Sequence, residues 1–535
     1  SPPRSWSPRW RGRTPTVSAP GARTRTREQL TESQHQLWAY DWNVSRSNSG
    51  AQKQTNGFPA DILVGLDRAQ PRGLREQLER ELRGAIQDGR ISAGTRLPPS
   101  RTLADDLGVA RSVVVEAYGH LVADGYLEAR QGSATRVLPV ATSAPPAASP
   151  DAGPTPTARF IGGLPDPAYF PRLEWQRHYR AALTALPNAE LGYPGPLGAL
   201  PLRAALASYL GRVRGVITGP ANVLITAGFT QALVLLCGVL RARGVRAIAV
   251  EDPCFGFHRH AISAAGLQPI AVPVDEDGIK VGQLAALDVG AVLVAPAHSY
   301  PTGGVLSPAR RGELLSWVRQ HDALIIEDDY DAEFRYDRTP IGALQGLAPR
   351  HIVYAGCASK TLTPALRLGW LAAPTQLVHE LMSEKLFADM GSPLLEQLAL
   401  AHFIDSGGFA RHLRRVRPVY RRRRDAAIQA LSTFLPDAVP TGVAAGLHLY
   451  VQLPAGSDER RLVDTAREQG LLLEGASWHW ADPDSAPPAL VLGYGSLGES
   501  AIREGLARIG SIHNDHRARR SSHVCRVFSS CGCAP

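Results

Sequence analysis

The stretch "GCASKTLTPALRLG" (residues 356–369) carries two charges, Lys360 and, seven residues on, Arg367, in an otherwise uncharged run. An amine in an apolar surround is a good nucleophile, and an arginine suits bidentate phosphate binding. What the pair serves depends on the segments upstream. Four apolar runs end in polar residues: "NVLITAG" (222–228), "AIAVEDPCF" (247–255), "AVLVAPAHSYPTG" (291–303) and "ALIIEDDYDAEF" (323–334). From about 159 to 512 such short runs alternate with helical stretches, which predicts an α/β domain. Ligands of an open α/β sheet bind beyond the carboxyl ends of its strands. The four polar ends are therefore expected to converge with Lys360 on one crevice.

Each end offers a different chemistry. Gly228, Phe229 and Thr230 open a helix, and helix N-termini seat anions. Asp328 follows an apolar strand, where a carboxylate is costly without a cationic partner. Tyr330, two residues on, points to the same side of an extended chain. An amine, a phosphate seat, a carboxylate for a ring nitrogen and an aromatic ring to stack on are the needs of pyridoxal phosphate. On this reading Lys360 bonds to the aldehyde and Arg367 grips the phosphate. Asp328 keeps the pyridine nitrogen protonated, Tyr330 hydrogen-bonds the 3'-oxygen and Phe255 stacks on the ring. His298 is either a structural histidine or a hydrogen-bonding group near the ring. Taken singly, the lysine reads as a solvated charge, Asp328 as a helix cap and Phe255 as core; the combination carries the inference.

A second pattern lies upstream. "LREQLERELRGAIQDGR" spaces Leu74, Leu78, Leu82 and Ile86 four residues apart, one apolar stripe on a helix. In "LPPSRTLADDLGVARSVVVEAYGHLVADGYLEARQGSATRV" (97–137), Ser100 reads as an N-cap, with Leu103, Ala104 and Leu107 on the inner face of a short helix. Gly108 permits the turn. A second helix runs from about Arg111 to Ala123 with Val114, Ala117, Tyr118 and Leu121 inward, and two short strands flank Gln131-Gly132 as a wing. Helix, turn, helix and hairpin form a DNA-reading geometry in which the second helix enters the major groove. Arg111 and Ser112 open that helix, Ser100 and Arg101 lie at the backbone beside it, and Gly132 marks the wing tip.

The 535 residues exceed one ordinary domain. Residues 1–58 read as a disordered basic leader, 59–137 as the winged head, 138–158 as a Pro/Ala-rich linker, 159–512 as the α/β domain and 513–535 as a disordered tail. The leader has no starting Met, which suits an over-extended reading of the gene or a disordered arm. In polyproline II the linker spans roughly 60 Å at about 3.1 Å per residue. A net charge of +9 is compatible with nucleic acid but weak by itself. Six cysteines make no disulfide framework in so long a chain, and Cys237, Cys254 and Cys357 sit in contexts that suit reduced thiols and a cytosol. No apolar stretch is long enough for a membrane span. The tail residues His523, Cys525, Cys531 and Cys533 fit no common zinc spacing, so no metal is expected.

The upstream pattern resembles the GntR family of bacterial repressors. The downstream segments "LGYPGPLGALPLRAALASYLGRVRGV", "ITAGFTQAL", "VEDPCF", "PAHSYPTG", "EDDYDAEFRY" and "YAGCASKTLTPALRLGW" resemble fold-type I aminotransferases in the same order. Joined, they resemble the MocR subfamily of regulators. The fold implied is multidomain: an N-terminal α+β winged helix-turn-helix, then an α/β aminotransferase-like domain with large and small subdomains. The resemblance implies a homodimer in which Tyr193 reaches the neighbouring subunit's phosphate site. Three departures stand out. Ala110 occupies the cap position where the family has Ser or Thr, Cys357 replaces a hydroxyl residue beside the phosphate, and "ALVLGYGSL" (489–497) lacks the arginine that grips a substrate carboxylate. Arg259 is the substitute candidate for that grip. The expected function is a cytoplasmic bacterial regulator that binds a double-stranded DNA operator and senses pyridoxal phosphate or an amino compound. The alternative is an active aminotransferase with an accessory DNA-binding head; a third reading is an architectural DNA-binding protein with a dead domain.

Overall fold

The computed structural model describes residues 66, 73–129, 134–139, 158–336 and 341–530, with side chains through residue 518. The chain divides into two compact units between Gly153 and Pro154, inside the Pro/Ala-rich stretch.

Among the described residues the first unit holds three helices, α1 (Leu74–Gln87), α2 (Ser100–Leu107) and α3 (Arg111–Ala123), and a two-stranded antiparallel hairpin, Leu127–Glu128 with Arg136–Val137. The four-residue spacing buries Leu78, Leu82 and Ile86 against Leu103 and Ala104 of α2 and Val114, Ala117, Tyr118 and Leu121 of α3. Leu127 and Val137 close the core from the hairpin. Leu74 and Leu107 stay half-buried. Gly108 takes φ 61°, the left-handed turn that lets α2 stop and α3 start. One expectation is corrected. Ser100 is the first residue of α2, not its cap, because Pro99 occupies the flanking position and no side chain caps the helix. The Ser100 hydroxyl instead accepts from Nε of Arg111 at 3.4 Å. Ala110 precedes α3 with no capping side chain either.

In the second unit an eight-stranded sheet runs in the order Val223–Thr226, Gly369–Ala372, Ile352–Cys357, Leu324–Asp328, Ala291–Val294, Ala247–Asp252, Gln268–Asp275, Gly278–Ile279. The five strands from Ile352–Cys357 to Gln268–Asp275 are mutually parallel. The central strands Ala291–Val294, Leu324–Asp328 and Ile352–Cys357 are buried on both faces, as inner parallel strands require, while Gln268–Asp275 toward the edge is only partly covered. One face carries helices Phe229–Ala242, Gly256–Ala264 and Thr375–Asp389, and the other carries Pro308–Gln320. Strand Gly369–Ala372 runs antiparallel between its neighbours, so it begins where they end: Gly369 lies opposite both Cys357 and Thr226. The carboxyl ends of these five strands and of Val223–Thr226 therefore lie at one edge, where the segment Lys360–Arg367 joins Cys357 to Gly369.

A five-stranded sheet forms a smaller subdomain in the order Val439–Thr441, His448–Gln452, Ala489–Gly493, Leu471–Gly475, Ala158–Phe160. Its last strand comes from the start of the unit and pairs parallel to Leu471–Gly475. The helix Glu499–Ser530 runs through residues 513–530, where the sequence reading expects a disordered tail. Ile509 and Ile512 are buried in the core shared with helix Gly408–Phe434, and Arg517 pairs with Asp437, so the helix is anchored well past 512. Among the described residues no helix is long and apolar enough to cross a membrane. Cys237, Cys254 and Cys357 are free and buried.

One buried ion pair ties the fold to the edge. Arg214 donates through Nε and Nη2 to the two carboxylate oxygens of Asp329 at 2.7 and 3.0 Å, and Tyr354 donates its hydroxyl to the same carboxylate at 2.6 Å. Replacing Arg214 by Met strands that carboxylate in the interior, and a loss of about 3–5 kcal/mol is expected in denaturant unfolding of this unit; adding Asp329→Asn should restore part of it. In the head, Ala110→Ser supplies the missing cap and is expected to raise the unfolding free energy by about 1 kcal/mol, read from the head's own transition.

Candidate functional site

Three consecutive carboxylates end the strand Leu324–Asp328, and their fates differ. Glu327 accepts from the amides of Leu344 and Gln345 at 2.8 and 2.9 Å. Asp329 is neutralised by Arg214. Asp328 lies between them, buried, with no hydrogen-bond partner at Oδ1. Its Oδ2 stands 3.7 Å from Nε2 of His258. Burial, with the Arg259 charge next, holds His258 down to about 3, so it is neutral and no counter-ion. Burial pushes the Asp328 carboxyl well above the usual range, helped by Asp329 and Asp331 and opposed by Lys360. What this buried carboxylate lacks is a cationic or hydrogen-bond-donating partner.

The anion seat lies at the neighbouring strand ends. Gly228 takes φ 102° immediately before helix Phe229–Ala242, whose first amides have no partner within the helix. Arg367, itself at φ 50°, donates to the Ala227 carbonyl and crosses this turn. A Cβ on Gly228 would stand 3.1 Å from Nη2 of Arg367. Only glycine lets the guanidinium close over the turn. Thr230 is exposed at the helix start, and Phe229 packs its ring 4.9 Å from that of His258. Cys357 ends its strand buried, hydrogen-bonded to Ser359, and burial pushes its thiol up.

Lys360 is half-buried, and Gly163, at φ 69°, lies against it: a Cβ there would stand 3.0 Å from Nζ. Behind the adjoining Gly162, Glu474 accepts from the Gly162 amide at 2.8 Å and the Tyr300 hydroxyl at 3.1 Å, with Nε2 of His479 also at 3.1 Å. Burial alone would raise Glu474, but the His479 hydrogen bond and charge, with the Gly162 and Tyr300 bonds, hold it below the usual range. Phe255 meets Tyr300 edge-on at 5.4 Å and Trp478 at 5.8 Å. Tyr330 and His298 stack with centroids 6.0 Å apart. His298, Asp331 and His448 are buried, with one potential ligand atom from each within 4.8 Å of the others.

The structure thus gathers Gly228, Phe229, Phe255, His298, Asp328, Tyr330, Lys360 and Arg367 around the carboxyl edge. Tyr193 is 84% exposed. Arg259 is corrected: it is spent on the carbonyls of Trp478, His479 and Trp480 at 3.0, 2.6 and 2.7 Å and is not free to hold a carboxylate. The strand Ala489–Gly493 brings Val491, not an arginine, toward Gly162. In the head, Arg101, Arg111 and Ser112 are exposed at the starts of α2 and α3, while Gly132 lies outside the described residues. Sequence reading missed Arg214, Gly163, His258, Tyr300, Asp331, His448 and Glu474. Only Asp331 had a signal, as the last acid of "EDDYD".

Comparison with known proteins defines a two-module class. Residues 74–137 match the family of bacterial regulatory proteins, gntR family, and residues 175–474 match aminotransferase class I and II. The chain is 33% identical over 457 residues to the HTH-type pyridoxine biosynthesis transcriptional regulator PdxR of Corynebacterium glutamicum, covering 84% of this chain and 98% of that one. It is 31% identical over 476 residues to the probable rhizopine catabolism regulatory protein MocR of Rhizobium meliloti, covering 84% and 95%. Among solved structures, the kynurenine aminotransferase of Pyrococcus horikoshii superposes with a TM-score of 0.62 at 26% identity, over 67% of this chain and 91% of that one. The chain belongs to the MocR subfamily of GntR-type regulators, a winged helix-turn-helix joined to a fold-type I aminotransferase domain.

The buried acids of this domain contribute one part of a pH dependence, and the buried histidines His258 and His448, held low by burial, contribute the opposite sense on the acid side. Burial pushes Glu251, Glu327 and Glu333 each up to about 7 from an ordinary 4.5. A raised folded-state value favours the protonated form, so the stability from these groups is present below pH 4.5 and lost as pH rises through about 7. Glu474, held low, acts only below that window. The share of the acids is read by difference: Glu251→Gln, which cannot ionise, is expected to raise the melting temperature at pH 8 relative to that at pH 5.5, measured by calorimetry in buffers of matched ionic strength.

Proposed function

We propose that this chain is a DNA-binding transcriptional regulator whose aminotransferase-like domain holds pyridoxal phosphate and senses it, or an amino compound presented to it, rather than turning over amino acids. The observation that carries the reading is the bare, buried Oδ1 of Asp328 at the same edge as Lys360 and the Arg367–Gly228 turn. Those groups match a ring nitrogen, an aldehyde and a phosphate on one flat molecule. When bound, that cofactor supplies an aldehyde that takes up amines and a ring that withdraws electrons.

The chain's own residues do the rest. Arg367 and the first amides of helix Phe229–Ala242 hold the phosphate. Asp328 keeps the ring nitrogen protonated, Tyr330 donates to the 3'-oxygen, and Phe255 covers one face. The absence of an arginine on Ala489–Gly493, and the commitment of Arg259 to backbone carbonyls, argue against efficient handling of ordinary amino acids. In the head, α3 presents Arg111 and Ser112 to DNA, with Arg101 at the backbone. Exposed Tyr193 suits a homodimer in which it faces the neighbouring subunit, two heads then reading one operator. Ligand occupancy shifts the DNA-bound state only through contacts that differ between the states, and the phosphate grip and the bond to Lys360 exist only when the site is filled.

Purified protein offered pyridoxal phosphate is expected to gain visible absorbance that Lys360→Ala does not show. Arg367→Gln should weaken uptake by at least about tenfold. Footprinting upstream of the chain's own gene should show a protected site whose protection changes when pyridoxal phosphate is added; no protection under any condition would sink the regulatory reading. Conversion to the pyridoxamine form by ordinary amino acids would favour the enzyme instead.

A further inference from the structure

Behind Tyr330 sits a dyad that the cofactor reading does not need. Nδ1 of His298 lies 3.1 and 3.0 Å from the two carboxylate oxygens of Asp331, and 3.1 Å from the Tyr330 hydroxyl. One ring nitrogen cannot serve all three. It either carries a proton and donates, or carries a lone pair and accepts. His298 is 3% exposed and Asp331 2%. A buried carboxylate demands a donor more strongly than a buried hydroxyl demands an acceptor. The proton therefore belongs on Nδ1, shared between the oxygens of Asp331. That leaves Nδ1 unable to accept from Tyr330, and the hydroxyl hydrogen must point elsewhere.

The surroundings are shaped around this pair. Gly446, at φ 69°, lies against it: a Cβ there would stand 2.3 Å from Cε1 of His298 and 2.6 Å from Oδ2 of Asp331. On the far side, His448 lies with its ring 5.2 Å from that of His298 and its Nε2 3.1 Å from the Pro301 carbonyl. The ionisable groups that act on Tyr330 are Asp331, Tyr300, Asp328 and Glu251, and Lys360 acts on Asp328 in turn. None of these takes the Tyr330 hydrogen in a hydrogen bond among the described residues.

We propose that Asp331 and His298 are positioning residues that keep the Tyr330 hydroxyl turned as a donor toward the 3'-oxygen of the bound cofactor. The proposal rests on the cofactor reading above and adds to it a fixed direction for one proton. A hydrogen bond donated to that oxygen stabilises the deprotonated, more negative form of the lysine-linked cofactor. Losing it raises the pH at which the visible band titrates. Without the imidazole, Asp331 becomes the acceptor of the Tyr330 hydrogen and draws it away from the cofactor.

The test is a spectroscopic pH titration of the loaded protein. Tyr330→Phe should raise the midpoint by about one pH unit. His298→Leu should raise it in the same direction, whereas His298→Gln, whose amide still donates to Asp331, should leave it near the wild-type value. In a Tyr330→Phe background, His298→Leu should add nothing. A wild-type midpoint in His298→Leu, or an equal shift with and without Tyr330, overturns the proposal. Independently of any variant, ¹⁵N spectra of histidine-labelled, cofactor-free protein should show the His298 proton on Nδ1; a lone pair there overturns it as well. Protein that never acquires the visible band defeats the cofactor reading, and the ¹⁵N spectrum then still judges the dyad alone.

Discussion

A strand that ends in three successive acids cannot be buried unless each finds a counterpart, and the site of this protein is organised by that demand. Two of the acids are answered from within: Glu327 by backbone amides and Asp329 by Arg214. Arg214 ends helix Leu200–Arg214, far along the chain from the strand, so its guanidinium fastens the helical layer to the edge where ligands enter. The middle acid is left unanswered. Its environment is thereby set by its neighbours: with Glu327 and Asp329 already satisfied, only Asp328 has an unfilled oxygen.

Sheet topology converts that local fact into a site. Because the central strands are parallel, their apolar runs deliver their polar ends to the same edge, and the reversed strand at Gly369 folds Arg367 back onto Gly228. The second sheet supplies the opposite wall. Strand Ala158–Phe160 docks beside Leu471–Gly475, and the two glycines that follow it lie against Lys360 and Glu474. Bulk at Gly162 would collide with Tyr300 and Glu474, and bulk at Gly163 with Lys360.

The parts legible in the sequence were those governed by short-range periodicity and punctuation. The stripe of α1, the inward residues of α3 and the apolar runs of the large sheet all follow from spacing, and Gly108 and Gly228 from backbone sterics. What the sequence hid were pairings across long separations. Nothing near Arg214 announces Asp329, and nothing in "FIGGLPD" marks Gly163 as the neighbour of a lysine nearly two hundred residues on. Arg259 misled for the same reason: an arginine beside a binding segment reads as a ligand grip until its partners prove to be three carbonyls. Ser100 misled more locally, since a serine after proline reads as a cap unless the proline itself takes the flanking position. The polar composition after 512 hides that the helix begun at Glu499 runs on through it.

The strand Ala158–Phe160 has one more implication. It opens the described part of the second unit, and Gly163 lies only a few residues beyond its start. The wall beside Lys360 is thus closed by a segment that opens the described part of the unit and is held in place by its pairing with Leu471–Gly475.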